Sequence, residues 1–253
     1  ALSLGSASVT KDGGGTTTFL VSNTYTGGTT ISDGAINIQN AGALGASGSI
    51  TVNSGGTLQL QNNITFARAI TINGNGDGSN TGAIRSVSGT NTVSATITLG
   101  SAARINCDAG TLTLSNASSV TGTNNALTLG GASNITVSGT LGLGTAALNK
   151  DGAGTATLAV ANTYTGNTNI SNGALVPSVA NAFGTSGTIN ITSTGTLQLQ
   201  NAMTFARPIN LGSVGNSNVG GIRLISSNVT LSGLITLTAT ARINSDANTL
   251  TFN

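Results

Sequence analysis

The chain repeats itself at a fixed distance. Asn-Thr-Tyr-Thr-Gly begins at Asn23 and again at Asn162, Thr-Leu-Gln-Leu-Gln-Asn at Thr57 and Thr196, and Thr-Phe-Ala-Arg at Thr65 and Thr204, each pair at the same offset of 139. Beyond Arg85 the offset is 138, since Arg85 answers to Arg223 and Arg104 to Arg242, so the second copy lacks one residue between Ile209 and Arg223. A fixed period constrains the fold more than any local motif, because repeat units bury their apolar faces against their neighbours and form solenoids, propellers or arrays. The opening ten residues match the apolar positions of residues 140–149. The expected organisation is therefore residues 1–9 as the tail of a preceding repeat, 10–148 as one full repeat unit, and 149–253 as a second, truncated unit. All three would lie in one continuous solenoid, read as an excerpt from a longer tandem array.

Period-2 alternation identifies the elements. Leucines alternate with polar residues in Gly56-Thr57-Leu58-Gln59-Leu60-Gln61, and the same holds for Thr111–Leu114, Ile50–Val52 and Thr188–Thr192. Such runs bounded by Gly, Asn and Ser predict half-buried strands, and no stretch has helical apolar spacing. Short strands at close, regular intervals also suit sandwiches and barrels. The long internal repeat, the scarcity of paired hairpin turns, and Asn at turn-like places (Asn23, Asn62, Asn116, Asn162, Asn201), where stacked amides form ladders, favour a parallel β-solenoid with coils of roughly 20 residues. Tyr25/Tyr164 and Phe66/Phe205 recur in both copies and are expected to fill the core or a corner.

Composition narrows the function. Charged residues are 6% of the chain and the net charge is +2, with no His, Glu or Trp. Eight scattered Lys and Arg do not make the clustered cationic footprint that nucleic acid requires. No apolar run approaches the ~20 residues of a membrane helix. Cys107 has Ser245 as its counterpart, so no disulfide framework exists, and the thiol is expected to be a small buried side chain. Without His there is no Ser-His-Asp triad and no imidazole metal site, and six scattered Asp residues offer no carboxylate pair for glycoside cleavage. No enzyme and no cofactor are expected.

Lys11-Asp12-Gly13-Gly14-Gly15-Thr16, Asn23-Thr24-Tyr25-Thr26-Gly27-Gly28-Thr29-Thr30 and Gly34-Ala35-Ile36 form a spaced motif. It returns as Lys150-Asp151-Gly152-Ala153-Gly154-Thr155, Asn162-Thr163-Tyr164-Thr165-Gly166-Asn167-Thr168 and Gly173-Ala174-Leu175. The motif resembles the passenger-associated transport repeat, also called the autotransporter-associated β-strand repeat. The resemblance covers this one stretch of each copy, Lys11 to Ile36 and Lys150 to Leu175. It implies a right-handed parallel β-helix, outside the cell on a bacterial surface, in a large secreted passenger. It implies structural roles for Lys11, Gly13, Gly15, Asn23, Thr24, Tyr25, Thr26 and Gly27 and for their counterparts Lys150, Gly152, Gly154, Asn162, Thr163, Tyr164, Thr165 and Gly166. It implies no catalytic residue. Asn167 replaces the second glycine of Gly27-Gly28, so that turn is expected to differ between copies.

The remaining candidates are polar. In Arg104-Ile105-Asn106-Cys107-Asp108, Arg, Asn and Asp share one strand face and Ile and Cys the other. Arg104 and Asp108, with their counterparts Arg242 and Asp246, are the candidates for bracing along the rod or for contacts between neighbouring rods. Gly74-Asn75-Gly76-Asp77-Gly78 has the style of a calcium turn, yet the second copy lacks its Asp. Thr-x-Thr pairs such as Thr111/Thr113 are the basis of an ice-binding alternative. The favoured expectation is a non-enzymatic stalk or adhesin scaffold, with a self-associating filament or sheath as the alternative and repeated-surface ligand binding as a minor one. Its expected partners are copies of itself, further repeats of the same parent chain, or cell-surface and polysaccharide ligands.

Overall fold

In a computed structural model, which describes residues 1–78 and 81–253, the alternating segments stack as parallel strands. They form a β-solenoid of about 12 turns, with partners about 21 residues apart. Among the described residues the helical content is one 3-10 turn, Asn216–Asn218. At ~4.8 Å between stacked strands, 12 turns make a rod of about 58 Å.

The registers trace three walls. The first wall runs through Val9–Lys11 and Ile70–Gly74 to Val120–Thr121 and Leu141–Gly142, and includes the opening residues of the long strands Thr29–Ile38, Ile50–Leu60 and Ile97–Cys107. The closing residues of those long strands, with Thr16–Phe19 and Ile84–Ser86, build the second wall. This wall continues through Leu127–Gly130 and Leu148–Lys150 into the opening residues of Thr168–Pro177 and Ile189–Leu199. The third contains Thr65–Phe66, Thr90–Val93, Thr111–Leu114, Asn134–Val137 and Thr155–Leu158, then the closing residues of Thr168–Pro177 and Ile189–Leu199. A long strand serves two walls by bending: the register shifts between Ile31 and Asp33 and, in the second copy, between Ile170 and Asn172. An extra residue opposite one partner kinks a strand in this way.

Alternation puts every second side chain inside. On the first wall Ile31, Val52, Ile72 and Leu99 stack in one column. On the second, Ile36, Leu58, Ile84, Ile105 and Leu129 do the same. All nine are at most 3% exposed. Each such side chain contributes about 1.5–3 kcal/mol. Cys107 is buried, and Tyr25, Tyr164, Phe66 and Phe205 are among the largest fully buried side chains. Phe183 meets Phe205 edge to face at 5.3 Å and 77°. In the first copy the buried Leu44 occupies the position of Phe183.

The amide ladder lies elsewhere than the turn asparagines suggest. Asn62, Asn116 and Asn201 donate to backbone carbonyls one coil back, of Gln39, Ser94 and Ser178. The amide-to-amide ladder is on a wall, where Asn149, Asn169, Asn190 and Asn210 are register partners linked at 2.8, 2.8 and 2.9 Å. Loop length varies from coil to coil, so turn side chains lose the register that strand residues keep. The one-residue difference between copies also falls in a loop, between Ile209–Ser213 and Ile222–Leu224.

Candidate functional site

The two motif copies adopt the same geometry. Lys11 donates its ammonium to the carbonyls of Asp12, Gly13 and Asp33 at 3.0, 2.5 and 3.0 Å. Lys150 does so with Asp151, Gly152 and Asn172 at 2.7, 2.7 and 3.1 Å. The turns that present these carbonyls need a left-handed residue: φ is 73° at Gly13 and 75° at Gly152, a region glycine enters without a Cβ penalty. Lys150 is 2% exposed and aligned with Leu129 and Ile170 of the core column. Burial lowers its pKa to about 8, with Asp151 raising it and Arg104 lowering it. The three carbonyls facing it favour the charged form.

The Asn-Thr-Tyr-Thr-Gly corner ties three successive coils. The Asn23 amide oxygen accepts from the Leu2 backbone N–H at 2.6 Å, and its nitrogen donates to the Ala43 carbonyl at 2.5 Å. Asn162 accepts from Leu141 at 2.7 Å and donates to Ala182 at 2.5 Å. Thr24 and Thr163 donate their backbone N–H groups to the carbonyls of Leu2 and Leu141. Thr26 and Thr165 donate their hydroxyls to the carbonyls of Gly5 and Gly144 at 3.1 and 3.3 Å. The buried Tyr25 hydroxyl meets Thr29 Oγ1 at 2.7 Å, and that of Tyr164 meets Thr168 at 2.8 Å. A Cβ at Gly27 or Gly166 would overlap the carbonyl oxygen of Ala7 or Ala146. The Gly28/Asn167 turn differs as a donor–acceptor pattern: Gly28 donates its N–H to Ser8 Oγ at 3.2 Å, while Asn167 accepts from the Thr188 N–H at 2.9 Å. Gly15 has open space where a Cβ would point, whereas one at Gly154 would meet the Ser133 carbonyl.

The repeated Thr-Phe-Ala-Arg puts Arg68 and Arg207 at equivalent positions, with no chemistry implied by the motif alone. The structure places both guanidinium groups over a corner. Arg68 donates to the carbonyls of Leu44, Gly45 and Gly48, and Arg207 to those of Phe183, Gly184, Ser186 and Gly187. The signal available was the fixed spacing after Tyr25 and Tyr164, since the corner each arginine caps lies one coil beyond that tyrosine. Arg68 also lines a groove of about 400 Å³ with Ser47, Ser49, Thr71 and Thr98, which holds no acid and no nucleophile–base pair.

The four charged candidates divide. Asp108 pairs with Arg85 at 2.5 Å and Asp246 with Arg223 at 2.6 Å, each across one coil step. Arg104 instead reaches two coils on, to Asp151, in a bidentate pair at 2.5 and 2.7 Å, while its Nε donates to Asn106 at 2.8 Å. It passes over Gly130, the intervening coil's residue, where a Cβ would overlap the guanidinium. Arg242 is exposed and forms no ion pair among the described residues. In the calcium-style turn, Asp77 accepts from Thr81 Oγ1 at 2.6 Å. Among the described residues no cluster of three His, Cys, Asp or Glu side chains is placed to hold a metal, and no helix is long and apolar enough to cross a membrane.

This chain is thus a parallel β-solenoid of the tandem-repeat class, whose polar side chains are turned onto its own corners and neighbouring coils. Residues 9–38 and 148–176, the stretches that carry the two copies of the motif, match the family model described as the passenger-associated-transport-repeat. Comparison with curated proteins and with solved structures finds no match.

Proposed function

We propose that this chain is a structural, non-catalytic segment of a bacterial surface rod, the stalk or adhesin scaffold of an autotransporter-type passenger, exposed outside the cell. The observation that carries the reading is the use of its cations. Of eight Lys and Arg, Lys11, Lys150, Arg68 and Arg207 bind turn carbonyls, and Arg85, Arg104 and Arg223 brace coils as ion pairs. Side chains so engaged hold a rod together and leave little polar chemistry free for a substrate. The motif family, found in passengers, and the solenoid fold agree with this role. Electron microscopy of the purified chain tests it: isolated rods about 58 Å long are expected, and a compact particle of equal axes would sink it.

A self-associating filament or sheath subunit is the second reading. Leu2, Leu4, Leu20 and Val21 on the first coils, and Leu234, Leu237, Ile243 and Phe252 on the last, are large apolar side chains at least 37% exposed. Charged residues are 6% of the chain, which weakens the repulsion that would keep rods apart. Lengthening of the rods with concentration, in steps of one rod, is the outcome that favours this reading. For surface or polysaccharide ligands the walls offer Thr, Asn and Gln and few aromatic rings for stacking against sugars.

A further inference from the structure

The repeat period and the coil period do not coincide. Six coil steps carry Ile36 to Ile170 along the second wall, the last two passing through Lys150. The repeat counterpart of Ile36 is not Ile170 but Leu175. Leu175 lies beyond the bend of its strand, on the third wall, where it pairs with Ala156. Every element of the motif moves the same way. Val9–Lys11 stands on the first wall and its counterpart Leu148–Lys150 on the second. Thr16–Phe19 stands on the second, and Thr155–Leu158 on the third.

We infer that the repeat is a screw of six and one-third turns, which rotates each unit by one wall, a third of a circle, against the unit before it. The outward columns show the rotation. In the first copy Thr10, Thr30, Thr51 and Thr71 stack on the first wall. Their counterparts Asn149, Asn169, Asn190 and Asn210 stack on the second. All four positions change from Thr to Asn together, as one column whose members touch.

The pair of Arg104 and Asp151 ties one copy to the next across this junction, because Asp151 answers to Asp12 and Arg104 to Arg242. The intervening Gly130 leaves the path open. In a tandem array of such units a given surface would return to the same side only after three units, at an axial spacing of about 90 Å. A rod of this kind has no privileged side. It suits contacts made all round by short stretches of wall, such as those of a stalk among its neighbours, and not one long flat face for a crystalline or polymeric ligand. That last step rests on the stalk reading; the screw itself rests on register alone.

Cross-linking separates the two. The screw places Asn149 beside Thr128 on the second wall, whereas units in phase would place it over the threonine column that includes Thr121. The variants Thr128→Cys/Asn149→Cys and Thr121→Cys/Asn149→Cys are treated, as the full chain, with a short bifunctional thiol reagent. Cys107 is buried, and the unmodified chain and single variants are controls. The expected result is at least tenfold faster intramolecular linking of the first pair. Faster linking of the second, or equal rates, overturns the screw. A β-rich far-UV spectrum in both variants leaves the solenoid and the stalk reading standing whichever way the rates fall. Should either double variant fail to fold, spin labels at Thr51 and Asn190 give the same answer from their separation: about 30 Å for units in phase, and several ångströms more for a rotated pair.

Discussion

At the scale of single residues, the burial of the motif lysine sets a pH dependence of stability. Lys150 has a pKa near 8 when folded, against an ordinary 10.5. Its folded value is depressed, so from about pH 8 to 10.5 the unfolded chain binds more protons, and stability rises with pH across that window. Tyr164 acts oppositely: burial raises its pKa above the usual 10, so stability falls once the unfolded tyrosine ionises above that value. Thermal melts should therefore show stability rising from pH 8 toward 10 and falling beyond. Lys150→Met should abolish the rise and keep the fall; a variant that keeps the rise would refute the assignment. The motif asparagine offers a second test. Asn162 is 3% exposed and joins Leu141 to Ala182, so Asn162→Ala strands two buried backbone groups. At about 1–3 kcal/mol for each unsatisfied group, a loss of about 2–6 kcal/mol is expected in urea unfolding, and a loss under 1 kcal/mol would refute the bridging role. The recurrence of these residues was legible in the sequence. The partners of Asn162 were not, because its bonds to Leu141 and Ala182 run to backbone atoms about one coil away, and backbone atoms carry no sequence signal.

At the scale of elements, the strands were legible from alternation and the Asn ladder was not. Finding it required the register, and register depends on loop lengths that change from coil to coil. Yet the signal existed: Thr10, Thr30, Thr51 and Thr71 all become Asn one period later. The ladder should be measurable. Asn190→Ala removes the bonds to Asn169 and Asn210, while Thr51→Ala, at its repeat counterpart, removes no side-chain ladder bond. At ~0.5–1.5 kcal/mol per hydrogen bond, Asn190→Ala should cost about 1–2 kcal/mol more than Thr51→Ala. Equal costs would mean that solvated amides contribute nothing there. The junction pair is a stronger element. The Arg104 side chain is 9% exposed and that of Asp151 37%, so Asp151→Ala leaves a largely buried cation without its partner. The loss should reach about 2–3 kcal/mol, below the ~3–5 kcal/mol of a fully buried pair because Asp151 is partly solvated. Gly130→Ala, by displacing the guanidinium, should produce a similar loss in the same unfolding measurement.

At the scale of the whole molecule, the strands of each coil pair with those of the adjacent coils, so stability is close to a sum of coil terms and interface terms, to which the Arg104–Asp151 pair adds a link across two coil steps. Removing the Arg104–Asp151 tie should lower cooperativity as well as stability. A broadened unfolding transition with a smaller denaturant slope is expected for Asp151→Ala, and an unchanged slope would show that the hydrophobic column alone couples the copies. The solenoid class could be read from the period and the alternation. The one-wall rotation could not, because an offset of 139 says nothing about turns until each loop's length is known.

The loop that separates Ile209–Ser213 from Ile222–Leu224 carries the one-residue difference between the copies, yet the strands on either side keep the pairing of the first copy. Contour length and rod length are therefore independent quantities in this chain. A peptide spliced into that loop would be carried on the outside as cargo, while the distance between the ends of the rod stayed the same.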